Sequence, residues 1–180
     1  MHEVDSICDR LSRKGAVAAR AMSIAAAMFF HADGAPAASP ISVAVADFDY
    51  IDSSGEPVDQ TAKHAALVSA FAQRLRDDLA GRSDYRVIPI DCPKHPCTAA
   101  KMPPDDFVDA ARRAGAQFVV YGGISKMSTL VQWGEVEIVD VENNRVLLRR
   151  IVSFRGDNDE AYRRAAFFVG DTVGDVLRRP

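Results

Sequence analysis

The chain has 180 residues, of which 48% are hydrophobic, and its 22 basic and 25 acidic residues give a formal net charge of −3. A slightly acidic chain is not expected to bind nucleic acid, because phosphate contacts need a concentrated basic surface. No segment after the first 38 residues is long and apolar enough to span a membrane. Those later residues suffice for one domain with one core.

The first 38 residues have the order of a secretory signal peptide. Basic residues come first, the apolar run 21–30 follows, and small residues lead to Ala37 and Ala38. The run is too short to cross a bilayer, which needs about twenty residues. We expect cleavage near Ala37 or Ala38 and a periplasmic protein; Met22 is an alternative start, and a buried cytosolic helix is the alternative interpretation. Cys8 precedes the apolar run and cannot serve for lipid attachment.

The pattern over 39–180 predicts a single α/β domain with the element order β-α-β-α-β-β-β-α. Predicted strands cover 41–50, 85–90, 117–124, 131–141 and 145–154, and predicted helices cover 61–80, 105–114 and a segment beginning after Asp157. Alternating strands and helices predict parallel crossovers, whereas Asn143-Asn144 predicts a tight hairpin. The sheet of about five strands is therefore mixed, with three helices covering its faces.

Local signals refine this outline. Asp157 and Glu160 have the spacing of a capping box for the last helix. Gly122-Gly123 predicts a bulge or a close backbone approach. His64 is predicted on an exposed turn of the first helix. Trp133 is alone of its type and is expected to anchor either the core or an interface.

Cys92 and Cys97 predict a disulfide, since two close cysteines in an oxidising compartment usually pair. Two alternatives remain open. One is a zinc or copper site that also uses His95, although the usual spacing of zinc ligands is absent. The other is a redox-active pair, although four residues separate the cysteines where thioredoxin-type motifs have two.

An acidic segment follows the first strand, where the carboxyl end of a sheet often faces a ligand. Its members are Asp47, Asp49, Asp52, Glu56 and Asp59. They predict either a solvated loop or a calcium or magnesium site, and their spacing departs from the EF-hand pattern.

The densest polar segment is Arg155–Arg164. It has two interpretations: helix capping with ion pairs at helical spacing, or a patch whose arginines bind a carboxylate or a phosphate. The sequence carries no phosphate-binding loop and no recognisable nucleophile–histidine arrangement, so we expect no enzyme.

Short phrases of the sequence resemble known families. The phrase 43–48 (VAVADF) resembles the first strand of the TolB amino-terminal domain and of its relatives, which include curli-secretion and penicillin-binding-protein activator lipoproteins. The phrases 114–122 (AGAQFVVYG) and 140–144 (DVENN) resemble a later strand and hairpin of the same group. The resemblance implies a TolB-like fold for nearly the whole mature chain.

A closer resemblance is to an uncharacterised family of small secreted proteobacterial proteins. It rests on Lys126-Met127-Ser128 and above all on 155–164 (RGDNDEAYRR), where Tyr162 replaces the more usual Trp. It implies the fold and export but no catalytic residues.

Together these observations predict an exported, non-enzymatic accessory domain that binds another envelope protein. The candidate interaction residues are Lys126, Ser128, Trp133, Arg155, Asp159, Glu160, Tyr162, Arg163 and Arg164. The alternative is a small-ligand or metal-binding module that uses the segment Asp47–Asp59 or the Cys92–Cys97 loop. No cofactor is predicted, and the oligomeric state is not determined by the sequence.

Overall fold

The computed structural model describes residues 39–93 and 95–178. The predicted signal peptide lies outside these residues and stays a prediction. The strands are β1 Ile41–Asp52, β2 Tyr85–Ile88, β3 Phe118–Lys126, β4 Val131–Asp140 and β5 Arg145–Arg155, and the helices are α1 Thr61–Ala80, α2 Pro104–Ala114 and α3 Asp159–Leu177. This is the predicted element order.

The described strands form one mixed sheet in the order β2-β1-β3-β4-β5. β1 runs parallel to β2 and to β3, while β4 and β5 are antiparallel neighbours. The hairpin between them contains Asn144 with a φ of 48°, which asparagine tolerates better than most residues. The predicted mixed sheet with three helices is therefore confirmed for the described part of the chain.

The helices cover the two faces of the sheet unequally. Val43 and Val45 of β1 pack in the larger core beneath α1 and α3, whereas Ala44 and Ala46 pack in the smaller core beneath α2. This division follows from the alternation of side chains along a strand. α2 has only 11 residues, or roughly 16 Å at 1.5 Å per residue. The 10 residues of β4 extend about 34 Å, so α2 leaves part of this sheet face uncovered.

Gly122 allows two strands to approach closely, as its sequence context predicts. A Cβ atom at this position would overlap the carbonyl oxygen of Glu135 on β4. The pairing of β1 with β3 also shifts register between Val45 and Phe48. Glycine is required here because every other residue would force the backbones apart.

The predicted capping box of α3 is wrong. Asn158 is the N-cap, and its Oδ1 accepts a hydrogen bond of 2.9 Å from the backbone N–H of Ala161. Asp157 lies one residue earlier and points to buried basic groups, while Glu160 pairs with Arg163. The opposite charges of these partners determine the orientation of both carboxylates.

Within residues 39–93 and 95–178, no helix combines the length and the hydropathy that a bilayer crossing requires.

Candidate functional site

A buried group of charges lies at the carboxyl ends of β1 and β3, on the side of α1 and α3. We call Glu56, His64, Lys126 and Asp157 the Lys126 cluster. The Lys126 side chain is fully buried, and its Nζ donates to Glu56 Oε2 at 2.5 Å and to Asp157 Oδ2 at 3.3 Å. The cluster therefore joins the end of β3 to the loop before α1 and to the start of α3.

His64 belongs to this cluster and is not exposed, contrary to the prediction. Its Nε2 lies 2.7 Å from Asp157 Oδ1, and its ring stacks on Tyr50 with 4.8 Å between the centroids. The first turn of α1 places residue 64 on the face that packs against the sheet, where the side chain is 1% exposed. A polar side chain is stable there because Asp157 supplies a partner.

Opposing effects determine the charge state of the cluster. Burial acts to raise the pKa of Asp157, but hydrogen bonds from Lys63, His64 and Lys126 outweigh it and hold that pKa below its usual value. Burial acts to lower the pKa of Lys126, but Glu56 and Asp157 outweigh it and raise that pKa. Lys126 is therefore charged and lies between two ionised carboxylates, those of Glu56 and Asp157.

Two predicted interaction residues are thus part of the interior. Lys126 pairs with the carboxylates of the Lys126 cluster. Tyr162 is fully buried, with its ring 5.2 Å from that of Phe154. The hydroxyl of Tyr162 and the amide of Gln132 are buried without a hydrogen-bond partner among the described residues. Lys126 and Tyr162 cannot contact a partner protein without local opening, so the prediction for them is corrected.

A different surface is exposed on the α2 side of the sheet. On this side, four large apolar side chains are between 46 and 66% exposed. They are Ile51, Trp133, Val146 and Ile151. We call these four residues the open sheet face. They border a groove of about 590 Å³, which Gly123 and Ser125 of β3 also line.

The charged residues beside this groove satisfy one another. Arg149 lies 2.7 Å from Glu137 and 3.0 Å from Glu135. Tyr121 donates a 2.9 Å hydrogen bond to Glu137 and stacks on Phe107 of α2. Burial, followed by this hydrogen bond, raises the pKa of Tyr121 to about 12. The side chains free to contact a partner are consequently the apolar ones.

Sequence reasoning singled out Trp133 but missed Ile51, Val146 and Ile151. The structure places Trp133 at the surface rather than in the core. A comparison of the predicted helix and strand lengths would have pointed to an exposed surface, because α2 is too short to cover the strands beside it. Strand alternation then puts Ile51 on the face of Asp49, which lines the same groove.

The other predicted interaction residues lie at the surface. Arg163 pairs with Glu160 at 2.7 Å within α3, as the spacing predicted, and Asp159 pairs with Arg74 of α1 at 2.7 Å. Of the remaining three, Ser128 caps the turn before β4 by accepting from the N–H of Val131, and Arg155 and Arg164 are exposed.

Cys92 and Cys97 lie at disulfide distance, with their Cα atoms 5.7 Å apart. Both are buried in the core beneath α2, together with Met102 and Phe107. The pair therefore attaches the loop after β2 to this core.

The acidic segment does not converge on one point. Asp47 pairs with Arg76 at 2.7 Å and accepts from the N–H of Cys97, while Asp49 accepts from the N–H of Ala100. Of the others, Asp52 and Asp59 bind neighbouring turn residues and Glu56 joins the Lys126 cluster. No group of three or more potential metal ligands occurs among the described residues.

The sheet order and the unequal helix layers define a small α/β module with one open sheet face. The chain belongs to the family described as "Protein of unknown function (DUF2380)", whose model matches residues 41–171. The prediction of an uncharacterised family is confirmed by this match. A search of the curated proteins gave no match.

Several solved structures are similar to the chain. TolB from Acinetobacter baumannii is 17% identical with a TM-score of 0.46, over 77% of this chain and 28% of that one, so the chain spans well under half of TolB. The LpoB carboxyl-terminal domain from Salmonella enterica is 13% identical with a TM-score of 0.45, over 64% and 82% of the two chains. Lipoprotein GNA1162 from Neisseria meningitidis is 14% identical with a TM-score of 0.43, over 78% and 98%.

Proposed function

We propose that this protein is an exported, non-enzymatic accessory module of the periplasm that binds another envelope protein through the open sheet face. The proposal rests on one observation: Ile51, Trp133, Val146 and Ile151 are all exposed along one groove on a single face of the sheet. Contiguous exposed apolar residues mark interaction surfaces in proteins of this kind. Tryptophan is enriched among the residues that dominate binding energy.

The polar groups around the groove support binding over catalysis. Tyr121, Glu137 and Arg149 are engaged with one another. A base or a nucleophile needs a side chain that can reach a substrate, and these side chains are already oriented by structural partners. The floor of the groove is the sheet itself, so a partner would meet a preformed surface at a low entropic cost.

Photo-crosslinking in living cells tests this proposal. A photoreactive amino acid replaces Ile51, which is 62% exposed in the groove, or Val58, which is 68% exposed outside it. We expect an adduct with one envelope protein from position 51, its loss when Trp133→Ser is added, and no such adduct from position 58. Equal adducts from both positions, or no adduct from position 51, would contradict the proposal.

A further inference from the structure

The outer edge of β5 is not paired with any strand that the structure describes. β5 is the last strand of the sheet and has 11 residues. Every second residue of an edge strand directs its N–H and C=O groups away from the sheet. In the described part of the chain, no loop or helix donates a backbone hydrogen bond to this edge between residues 145 and 154. By contrast, β2 at the opposite edge has only four residues.

A groove of about 370 Å³ follows this edge, between β5 and α3. All residues from Arg150 to Arg155 line one side, and Ala161, Arg164, Ala165 and Phe168 of α3 line the other. We call it the β5–α3 groove. Its length and its shape suit an extended chain lying beside β5. Small alanine side chains on α3 leave room for that chain.

Three arginines in this groove have no acidic partner among the residues that the structure describes. Arg150, Arg155 and Arg164 are exposed, and none makes a salt bridge or a side-chain hydrogen bond within residues 39–93 and 95–178. The guanidinium of Arg150 is held over the ring of Phe168, 5.8 Å from its centroid. No carboxylate of the described residues lines the groove, although the protein as a whole carries a net charge of −3.

The nearest acidic residues of α3 are already neutralised. Asp159 pairs with Arg74, and Glu160 pairs with Arg163. Glu160 also interacts with Arg164 through charge, but the two form no ion pair or hydrogen bond, so the donors of Arg164 stay free for an occupant. An occupant with carboxylates would supply the missing partners, whereas a basic occupant would be repelled.

We propose that the β5–α3 groove binds an extended acidic segment of a partner protein, which adds to the sheet as a strand beside β5. Backbone hydrogen bonds to the free edge hold the segment, and carboxylates on its helix side pair with Arg150 and Arg164. Arg155 lies about 17 Å further along the strand, at 3.4 Å per residue, on the opposite face of β5, and takes no part in this pairing. This inference goes beyond the proposed function, since it concerns the edge of β5 and not the open sheet face.

The probe is an eight-residue peptide of alternating valine and glutamate, blocked at both ends and labelled with a fluorophore. Binding is measured by fluorescence anisotropy at low and physiological salt. Two control peptides replace every glutamate by lysine or carry N-methyl groups on alternate backbone nitrogens. The R150Q/R164Q variant tests the groove. The matched control is R86Q/R113Q, which removes the same charge from exposed residues of β2 and α2.

We expect R150Q/R164Q to weaken binding of the valine–glutamate peptide by about tenfold or more, the change that follows from losing charge-assisted hydrogen bonds. R86Q/R113Q should change the affinity less than twofold, and neither control peptide should bind the native protein measurably.

Equal affinity of the native and R150Q/R164Q proteins for the acidic peptide would overturn the role of the arginines. Undiminished binding of the N-methylated peptide would overturn strand addition. Binding of phosphatidylglycerol vesicles, lost in R150Q/R164Q, without binding of the peptide would assign the groove to lipid headgroups and overturn the proposal. The crosslinks from position 51 are measured separately, so the proposal for the open sheet face and the proposal for the β5–α3 groove can be overturned independently.

Discussion

Asp157 connects three segments that are distant in the sequence. Its carboxylate contacts Lys63 and His64 on α1 and Lys126 at the end of β3. Removing one member of a buried ionic group leaves the others uncompensated, which costs more than the group contributes as a whole. The sequence neighbours of Asp157 give no sign of these partners.

We predict that Asp157→Asn lowers the free energy of unfolding by about 3 kcal/mol at pH 5 to 7. The pKa of Asp157 is lower in the folded protein than in the unfolded chain. Its contribution is therefore present above the unfolded value, about 4, and is lost as the pH falls through the folded value. Urea unfolding of both proteins at pH 5 and pH 3 checks this; a difference that grows at pH 3 would contradict it.

Gly122 is required by the close approach of β3 and β4. We predict that Gly122→Ala destabilises the protein by 2 kcal/mol or more, in the upper range of about 1–3 kcal/mol that overpacking usually costs. Gly134→Ala is the control, because the nearest atom to its new Cβ would be 3.7 Å away. Thermal unfolding followed by circular dichroism compares them. Similar melting temperatures for the two variants would show that the strands can separate at Gly122 without cost.

At the scale of elements, the start of α3 is determined by one side chain. Asn158 accepts the hydrogen bond from Ala161 that would otherwise leave an unpaired N–H in the first turn. Asp159 and Glu160 in that turn also complement the helix dipole. The helix thus begins at a residue that the capping-box pattern did not identify.

Asn158→Ala is expected to lower the free energy of unfolding by about 1 kcal/mol, the usual cost of removing an N-cap. Asn158→Ser retains an acceptor and should stay close to the native protein. Urea titration distinguishes the two. If both substitutions have the same effect, the side-chain hydrogen bond does not stabilise the helix.

The loop between Cys92 and Cys97 belongs to the core beneath α2. Closing so short a loop is expected to stabilise the protein by roughly 2 kcal/mol through the unfolded chain. We therefore predict that a reductant lowers the urea midpoint of the native protein and leaves that of Cys92→Ser/Cys97→Ser unchanged. Reductant effects of equal size in both proteins would exclude a disulfide as their cause.

At the scale of the whole molecule, export and oxidation are linked. A protein secreted through cleavage near Ala37 or Ala38 reaches an oxidising compartment in which Cys92 and Cys97 can pair. We expect the denatured mass of protein from a periplasmic extract to correspond to such a cleaved chain and to lie two hydrogens below the reduced mass. An intact chain found in the cytosol, with both thiols free, would contradict the export proposal.

The sequence alone determined the element order and most of the boundaries of this protein. Strand alternation, the apolar residues Leu67, Phe71, Leu75 and Leu79 at intervals of four within 61–80, and the Asn143-Asn144 turn are local signals, and each is present in the structure. They are local because backbone geometry repeats over two or about four residues. Gly122 was likewise identified correctly, since a glycine pair inside an apolar strand is typical of a close backbone approach.

Only the tertiary structure decided which polar residues are buried and which apolar residues are exposed. Lys126 and Tyr162 were expected at a surface but lie inside, whereas Ile51 and Ile151 lie outside. Burial depends on which elements cover a position, and here the cover comes from α1, α3 and the short α2. Partners such as Lys126 and Asp157 are 31 positions apart, so no local pattern could have paired them.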